Sequence, residues 1–303
     1  MTNSFEILGL TPKCGALTPD QIGKVKGLGC LRDKRYEDIF NVRVLTGNGK
    51  LSTEKHRVVA EAADRFGSGE VALTSRMTFE IQGVPYDNIP DLVLFLKENG
   101  MECGGTGPKV RPIVACKGTT CVFGQIDTHG LAEKIHEKYY LGFHDMILPH
   151  KFKIAVGGCP NNCVKPDLND IGIVGCRIFT PDLEKCRGCT KCVGTCPMGA
   201  LSMVDGKVCI DPALCNRCGR CLKSCPFGVF AEGKSGYRMA VGGRWGKKGN
   251  QGIFLKHVFE SEEEVLCALE KAILLFRDEG IKGERFAETV ERLGMDYVEE
   301  KLL

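Results

Sequence analysis

The chain has 303 residues, with 43% hydrophobic and 26% charged positions, an ordinary globular composition long enough for two or three domains with cores of their own. A net charge of +3 without a basic run interleaved with aromatics argues against nucleic acid as a partner. No stretch reaches about 18 apolar residues, so no membrane span is expected.

Read in chain order, Thr18-Pro-Asp-Gln21 is a capping box with proline at the first helical position. A second helix is expected over about 53–66, with Val58, Val59, Ala62, Ala63 and Phe66 on one face and Gly67 as its stop. Val71 and Leu73, then Phe79 and Ile81, alternate with polar neighbours as strands do. These elements make an N-terminal α+β unit to about residue 90, and another helix should run from near Pro90 to Gly100. The pattern beyond 101 predicts a strand (110–115), a cysteine loop, a helix (127–140), a strand (152–156), a second cysteine loop and a strand (171–175). A cysteine-rich segment (180–232) then interrupts the fold, which resumes as a strand at Tyr237–Val241. Ser261-Glu-Glu-Glu264 caps a helix carrying Val265, Leu266, Leu269, Ala272, Ile273 and Phe276 at helical spacing, and the last twenty residues read as one further amphipathic helix.

The eighteen cysteines carry the chemistry. Cys186-x2-Cys189-x2-Cys192-x3-Cys196-Pro197 recurs as Cys215-x2-Cys218-x2-Cys221-x3-Cys225-Pro226. This is the bacterial two-cluster ferredoxin run, in which the fourth cysteine of each run ligates the other run's cluster. The expected sets are Cys186, Cys189 and Cys192 with Cys225, and Cys215, Cys218 and Cys221 with Cys196. A further group, Cys116 and Cys121 with Cys159 and Cys163, forms two close pairs that suit either another cluster or a zinc ion. Cys14, Cys30, Cys103, Cys176, Cys209 and Cys267 fit no ligand pattern and are expected to be buried structural thiols. Met1–Leu10 lacks a basic run ahead of a long apolar one. With no export signal, so many thiols predict metal ligands in a reducing cytoplasm rather than disulfides.

Four segments resemble the sulfite and nitrite reductase hemoproteins: Thr74-Ser-Arg-Met-Thr-Phe-Glu-Ile-Gln-Gly83, Arg111-Pro-Ile-Val-Ala-Cys116, Leu148-Pro-His-Lys-Phe-Lys153 and Gly157-Gly-Cys-Pro-Asn-Asn-Cys163. With the ferredoxin insert, the chain looks most like the siroheme subunit of anaerobic sulfite reductases. The resemblance implies an α+β fold: a ferredoxin-like half domain (1–90), a siroheme and [4Fe–4S] domain (91–179 and 233–303) and an inserted two-cluster ferredoxin domain (180–232). It implies siroheme and three [4Fe–4S] clusters. Cys163 would bridge its cluster to the siroheme iron, with Cys116, Cys121 and Cys159 as the other ligands. The first pair departs from the family, having four residues between its cysteines where five are usual. By the same resemblance Arg76, Gln82 and Asn161 touch the macrocycle, and Arg111, Lys151 and Lys153 face the substrate. Arg43 sits at the place of a further substrate arginine. Cations are required on physical grounds too, because siroheme carboxylates and an oxyanion cannot be buried together without them. Lys151 and Lys153 are spaced to share one strand face. His150 stands where the family has arginine, and the glycine-rich 242–249 segment is equally a backbone approach to a flat cofactor or a plain surface loop.

The implied reaction is reduction of sulfite to sulfide, with nitrite reduction or a siroheme-free electron-transfer role as alternatives. No nucleotide or flavin motif is present, so electrons should come from a donor protein or a donor subunit. A homodimer or a heteromeric complex is expected.

Overall fold

The computed structural model describes residues 3–230 and 233–303. Met1 and Thr2 at the start, and Ala231 and Glu232 at the end of the expected insert, lie outside the described residues. The chain divides into two compact units. One comprises the chain up to Val114 with Ala132–Ile154 and Leu275–Thr289; the other comprises Ala115–Leu131, Ala155–Leu274 and Val290–Leu303.

The first unit is built on an antiparallel sheet of β1 (Cys30–Arg32), β2 (Ile39–Val44), β3 (Val71–Leu73) and β4 (Phe79–Pro85), in the order β1-β2-β4-β3. Phe40, Val42 and Val44 alternate inward along β2, which leaves Arg43 on the other face. The helix Pro19–Gly27 carries the expected capping box. The helix Thr53–Phe66 buries Val59, Ala62 and Ala63, and together with Ile89–Glu98 it closes the core over Ile81, Val84 and Leu92.

Gly67 does end its helix, but for a different reason than expected. Its backbone is extended (φ −122°) rather than left-handed. A Cβ there would lie 2.6 Å from the Gln82 carbonyl oxygen, so close approach selects the glycine. The expected alternation of β3 also reverses. Val71 and Leu73 are exposed, Leu73 at 80%, because β3 is an edge strand paired only to β4. In the same unit Phe152 is fully buried against Phe276 and Phe286, with ring centroids 5.7 and 5.1 Å away. That anchor fixes the two lysines flanking it.

The second unit holds a five-stranded sheet of β5 (Val114–Ala115), β6 (Ile154–Gly157), β7 (Ile171–Ile178), β10 (Lys234–Val241) and β11 (Ile253–Phe254), in the order β11-β10-β7-β6-β5. β7 and β10 pair antiparallel from Ile171↔Val241 to Ile178↔Lys234. The cysteine-rich segment is therefore inserted at the end of a hairpin. It contains its own antiparallel pair, β8 (Leu201–Val204) and β9 (Lys207–Ile210), and two short helices, Lys191–Thr195 and Arg220–Ser224. The helices begin at equivalent places in the two cysteine runs, each after a left-handed residue, Thr190 and Gly219. Leu201, Val208, Val229 and Phe230 form a core that also takes in Cys186 and Cys192.

Several element boundaries differ from expectation. The strand expected at 110–115 shortens to Val114–Ala115, preceded by an isolated Val110↔Phe152 bridge. The helix Thr128–Ile135 widens into a π turn over His136–Leu141. The C-terminal segment is two helices, Phe286–Leu293 and Met295–Leu302, because Gly294 between them has φ 86°. Of the six non-motif cysteines, Cys30 and Cys176 are buried and Cys103 half-buried, whereas Cys14, Cys209 and Cys267 are exposed, contrary to the expectation of structural thiols. Among the described residues no helix is long and apolar enough to cross a membrane.

Candidate active site

In the first unit, Arg43, Arg76, Arg111, Lys151 and Lys153 line one cavity of about 270 Å³, together with Thr78, Gly105 and Pro112. Arg76 reaches it from the β3–β4 turn. There the Thr74 hydroxyl accepts from the Arg76 and Thr78 N–H groups, and Met77 takes φ 57°. Arg76 Nη2 donates to the Ile154 and Pro112 carbonyls. Lys151 and Lys153 lie just before β6 rather than within a strand. Both line the cavity because they flank the buried Phe152, whose bridge to Val110 sets the alternation. The Nδ1 of His150 accepts from the Lys151 N–H at 2.7 Å, and the imidazole is outside the cavity lining.

Arg111 is held by its Nη1 donating to the Gly105 carbonyl, and Gly105 donates its own N–H to the Tyr140 hydroxyl at 2.8 Å. Arg111 Nε is buried without a hydrogen-bond partner. Burial, and then the nearby Arg43 and Arg285, push the Arg111 guanidinium below its ordinary value. A bound anion would relieve both penalties at once. Arg43 is matched by Glu80 Oε2 at 3.1 Å. Gln82 stands one step behind it, outside the cavity lining, with its Nε2 donating to Glu80 Oε1 at 3.0 Å.

In the second unit, two loops present the paired cysteines. Cys116 follows β5, and Cys159 follows β6 through Gly157 and Gly158. The loops approach closely: a Cβ on Gly158 would lie 2.7 Å from the Gly118 Cα and 3.5 Å from Cys116 Sγ. The Gly158 N–H donates to Cys116 Sγ at 3.1 Å. The buried Thr128 hydroxyl donates to the Cys116 carbonyl at 2.6 Å and accepts from the Thr119 N–H at 3.2 Å. Asp167, also buried, accepts from Asn162 Nδ2 and Gln251 Nε2, each at 2.8 Å, and so fixes the Cys159–Cys163 loop. Burial pushes the Cys159 thiol up, the Asn161 N–H opposes it, and Cys116, Cys163 and Cys121 add repulsion. A thiol made costly to ionise by burial and by three neighbouring sulfurs suits a metal cluster, whose positive charge reverses that penalty.

Among the described residues no group of three or more His, Cys, Asp or Glu converges on a point where one metal ion could sit. A cubane asks for something else, because its ligands bind separate irons. In the insert, Cys196 lines one small cavity with Cys215, Cys218 and Cys221, and Cys225 lines another with Cys186, Cys189 and Cys192. Burial, reinforced by Cys215 and Cys218, pushes the Cys221 thiol up to about 12. Backbone N–H groups of Gly188 and Val208 lower Cys186 instead. Asn161 is exposed and lines a crevice with Cys159 and Cys218.

The description "Nitrite and sulphite reductase 4Fe-4S domain" matches residues 106–303, and "Nitrite/Sulfite reductase ferredoxin-like half domain" matches 32–99. The chain belongs to the nitrite and sulphite reductase family. It is 34% identical over 271 residues to a coenzyme F420-dependent sulfite reductase of Methanocaldococcus jannaschii, covering 88% of this chain and 42% of that protein. Against one of the subunits of the anaerobic sulfite reductase of Salmonella typhimurium it is 29% identical over 191 residues, 57% of this chain and 54% of the relative. It thus spans about half the length of these two relatives or less. A solved dissimilatory sulfite reductase I shares the fold, with a TM-score of 0.71 at 21% identity over 90% of this chain and 75% of the other.

Sequence reasoning missed Gln125, Thr128, Tyr140 and Asp167. Each is a lone polar residue acting through one or two contacts made by folding, and no spacing rule marks it. The Gly118–Gly158 contact gives a direct test of the cysteine site. Gly158→Ala should leave the fold intact but lower iron and acid-labile sulfide per chain by the content of one cluster, measured on anaerobically purified protein. Unchanged content would show that the loops need not approach so closely.

Proposed function

We propose that the chain reduces sulfite to sulfide at a siroheme coupled to a [4Fe–4S] cluster, and that electrons reach it through two further clusters in the insert. The observation that carries this reading is the single cavity where three arginines and two lysines converge, one guanidinium nitrogen of Arg111 being buried without a partner. The residues present suit the groups that the family implies: cations for carboxylates and an oxyanion, and three four-cysteine sets for clusters. We read 1–90 as the half domain, 91–179 with 233–303 as the siroheme and cluster domain, and 180–232 as the inserted ferredoxin domain.

When bound, siroheme would supply a redox-active iron centre for the reduction. The protein's part is electrostatic. Lys151, Lys153 and Arg111 hold the negative oxygens, and the lysine ammonium groups donate protons as those oxygens leave as water. Preorganised cations in a site that excludes bulk solvent stabilise such developing charge without reorganisation. Arg76 orients macrocycle carboxylates. Cys116, Cys121, Cys159 and Cys163 would hold the cluster, Cys163 being the thiolate it would share with the siroheme.

Steady-state turnover with reduced methyl viologen, comparing sulfite and nitrite at equal concentration, tests the assignment. Sulfide should form with the higher kcat/KM. A preference for nitrite with ammonia as product would reassign the substrate. If siroheme-loaded protein consumes neither anion, both readings are excluded.

A further inference from the structure

The insert contains two expected cluster sites, and the structure treats them differently. The first run's cavity is lined by residues of the insert alone, among them Cys186, Cys192, Cys225 and Phe230, and Cys189 in that set is exposed. The second run is tied to the rest of its unit at three places. Gln125 Nε2 donates to the Cys218 carbonyl at 2.8 Å, and the Arg177 N–H donates to the Arg217 carbonyl at 2.9 Å. Gly219 sits so close to Arg177 that a Cβ would lie 2.6 Å from its Cγ.

Gln125 is the junction. Its own N–H donates to the Gly158 carbonyl at 2.9 Å, and the Gly158 N–H donates to Cys116 Sγ at 3.1 Å. A continuous hydrogen-bonded path therefore runs from Cys116, through Gly158 and Gln125, to Cys218. A crevice of about 120 Å³ lies beside this path, lined by Gln125, Cys159, Asn161, Arg177, Cys218 and Arg220. Gln125 Oε1 is buried without a hydrogen-bond partner, so the side chain keeps its donor contact at the cost of an unsatisfied acceptor.

We propose that Gln125 is a positioning residue that fixes the Cys215–Cys218–Cys221 run against the Cys116 and Cys159 loops, making the cluster of that run the immediate electron donor to the four-cysteine site. This rests on the reading of all three sets as [4Fe–4S] ligands. One electron leaves the reduced cluster held by Cys215, Cys218, Cys221 and Cys196, which returns to its oxidised state. The same electron enters the oxidised cluster held by Cys116, Cys121, Cys159 and Cys163. No bond forms or breaks, and no proton moves. The electron is replaced through the outer cluster, whose ligand Cys189 faces solvent, from a low-potential one-electron donor such as a reduced ferredoxin.

The test is magnetic and does not depend on turnover. The full chain, loaded and reduced with dithionite, is compared with Cys186→Ser/Cys189→Ser and Cys215→Ser/Cys218→Ser variants, each shown by iron analysis to lack one insert cluster. The insert cluster left in the first variant should resist microwave power saturation in electron paramagnetic resonance, because a paramagnet lies close by. The one left in the second variant should saturate at lower power. The reverse order overturns the proposal. In Gln125→Leu, which keeps the volume and removes the donor, iron content and midpoint potentials should hold. The internal transfer rate after flash photoreduction should fall about tenfold or more, the scale on which loss of an outer-shell partner acts at metal sites. An unchanged rate overturns the role of Gln125. Insert clusters missing from the wild-type chain would overturn the three-cluster reading as well, whereas clusters present in the reverse order overturn this inference alone.

Discussion

Replacing Lys153 or Arg111 by alanine should lower sulfite turnover by a factor of about a hundred or more while siroheme content stays near that of the wild type. Both residues line the cation cavity, and each arrives by a different route. Lys153 is set by the buried Phe152 beside it, and Arg111 by its bond to the Gly105 carbonyl. Removing one preorganised contact to charge that develops in the transition state typically costs on the order of 3 kcal/mol of barrier. On the proposed reading, binding of a large macrocycle would be spread over many contacts, so one lost cation at the substrate side should leave it in place. Turnover and absorbance per chain, measured on one preparation, separate the two effects. Full activity at full loading in either variant would place that residue outside the reaction.

Excising 180–232 and closing the gap with a short linker should abolish turnover driven by a protein donor and spare turnover driven by a small reduced dye. The structural basis is the antiparallel pairing of Ile178 with Lys234, which leaves two strand ends adjacent where the insert departs. The insert also has its own core of Leu201, Val208, Val229 and Phe230, so that core leaves with it, while Phe179, Gln125 and Arg177 lose their contacts to it. On the proposed reading a small dye would reduce the remaining cluster directly, whereas a protein donor would have lost its docking module. If the shortened chain binds siroheme normally and the dye still cannot drive it, the insert has a role in the chemistry itself.

Much of this architecture was legible in the sequence, because the strongest signals are local or strictly spaced. The capping box at Thr18–Gln21, the helix ending at Phe66 and the two cysteine runs follow from a few residues each. Cys196 lines a cavity with the second run's cysteines and Cys225 one with the first run's. What escaped was set by tertiary contact. β2 carries a readable alternation in Phe40, Val42 and Val44, but β3 turns its apolar residues outward because it has a neighbour on one side only. Gly67 was legible as a stop while its cause, the approach of the Gln82 carbonyl, was not. The bond from Gln82 to Glu80, behind Arg43, is likewise a contact that no spacing rule marks. The last helix breaks at Gly294, a position where amphipathic spacing continues and only the backbone angle reveals the break. Asp167 and Gln125 carry no spacing signature; their roles exist only once distant segments meet.

The central claim proposed here is that the chain holds siroheme and a cluster ligated by Cys116, Cys121, Cys159 and Cys163, with the Cys163 thiolate shared between them. The most direct test is the optical spectrum of anaerobically purified protein from cells supplied with siroheme, with iron and acid-labile sulfide counted on the same sample. The account predicts chlorin bands, lost in Cys163→Ala, over iron and sulfide sufficient for three [4Fe–4S] clusters. Protein that carries the full cluster complement but shows no chlorin absorption would contradict it.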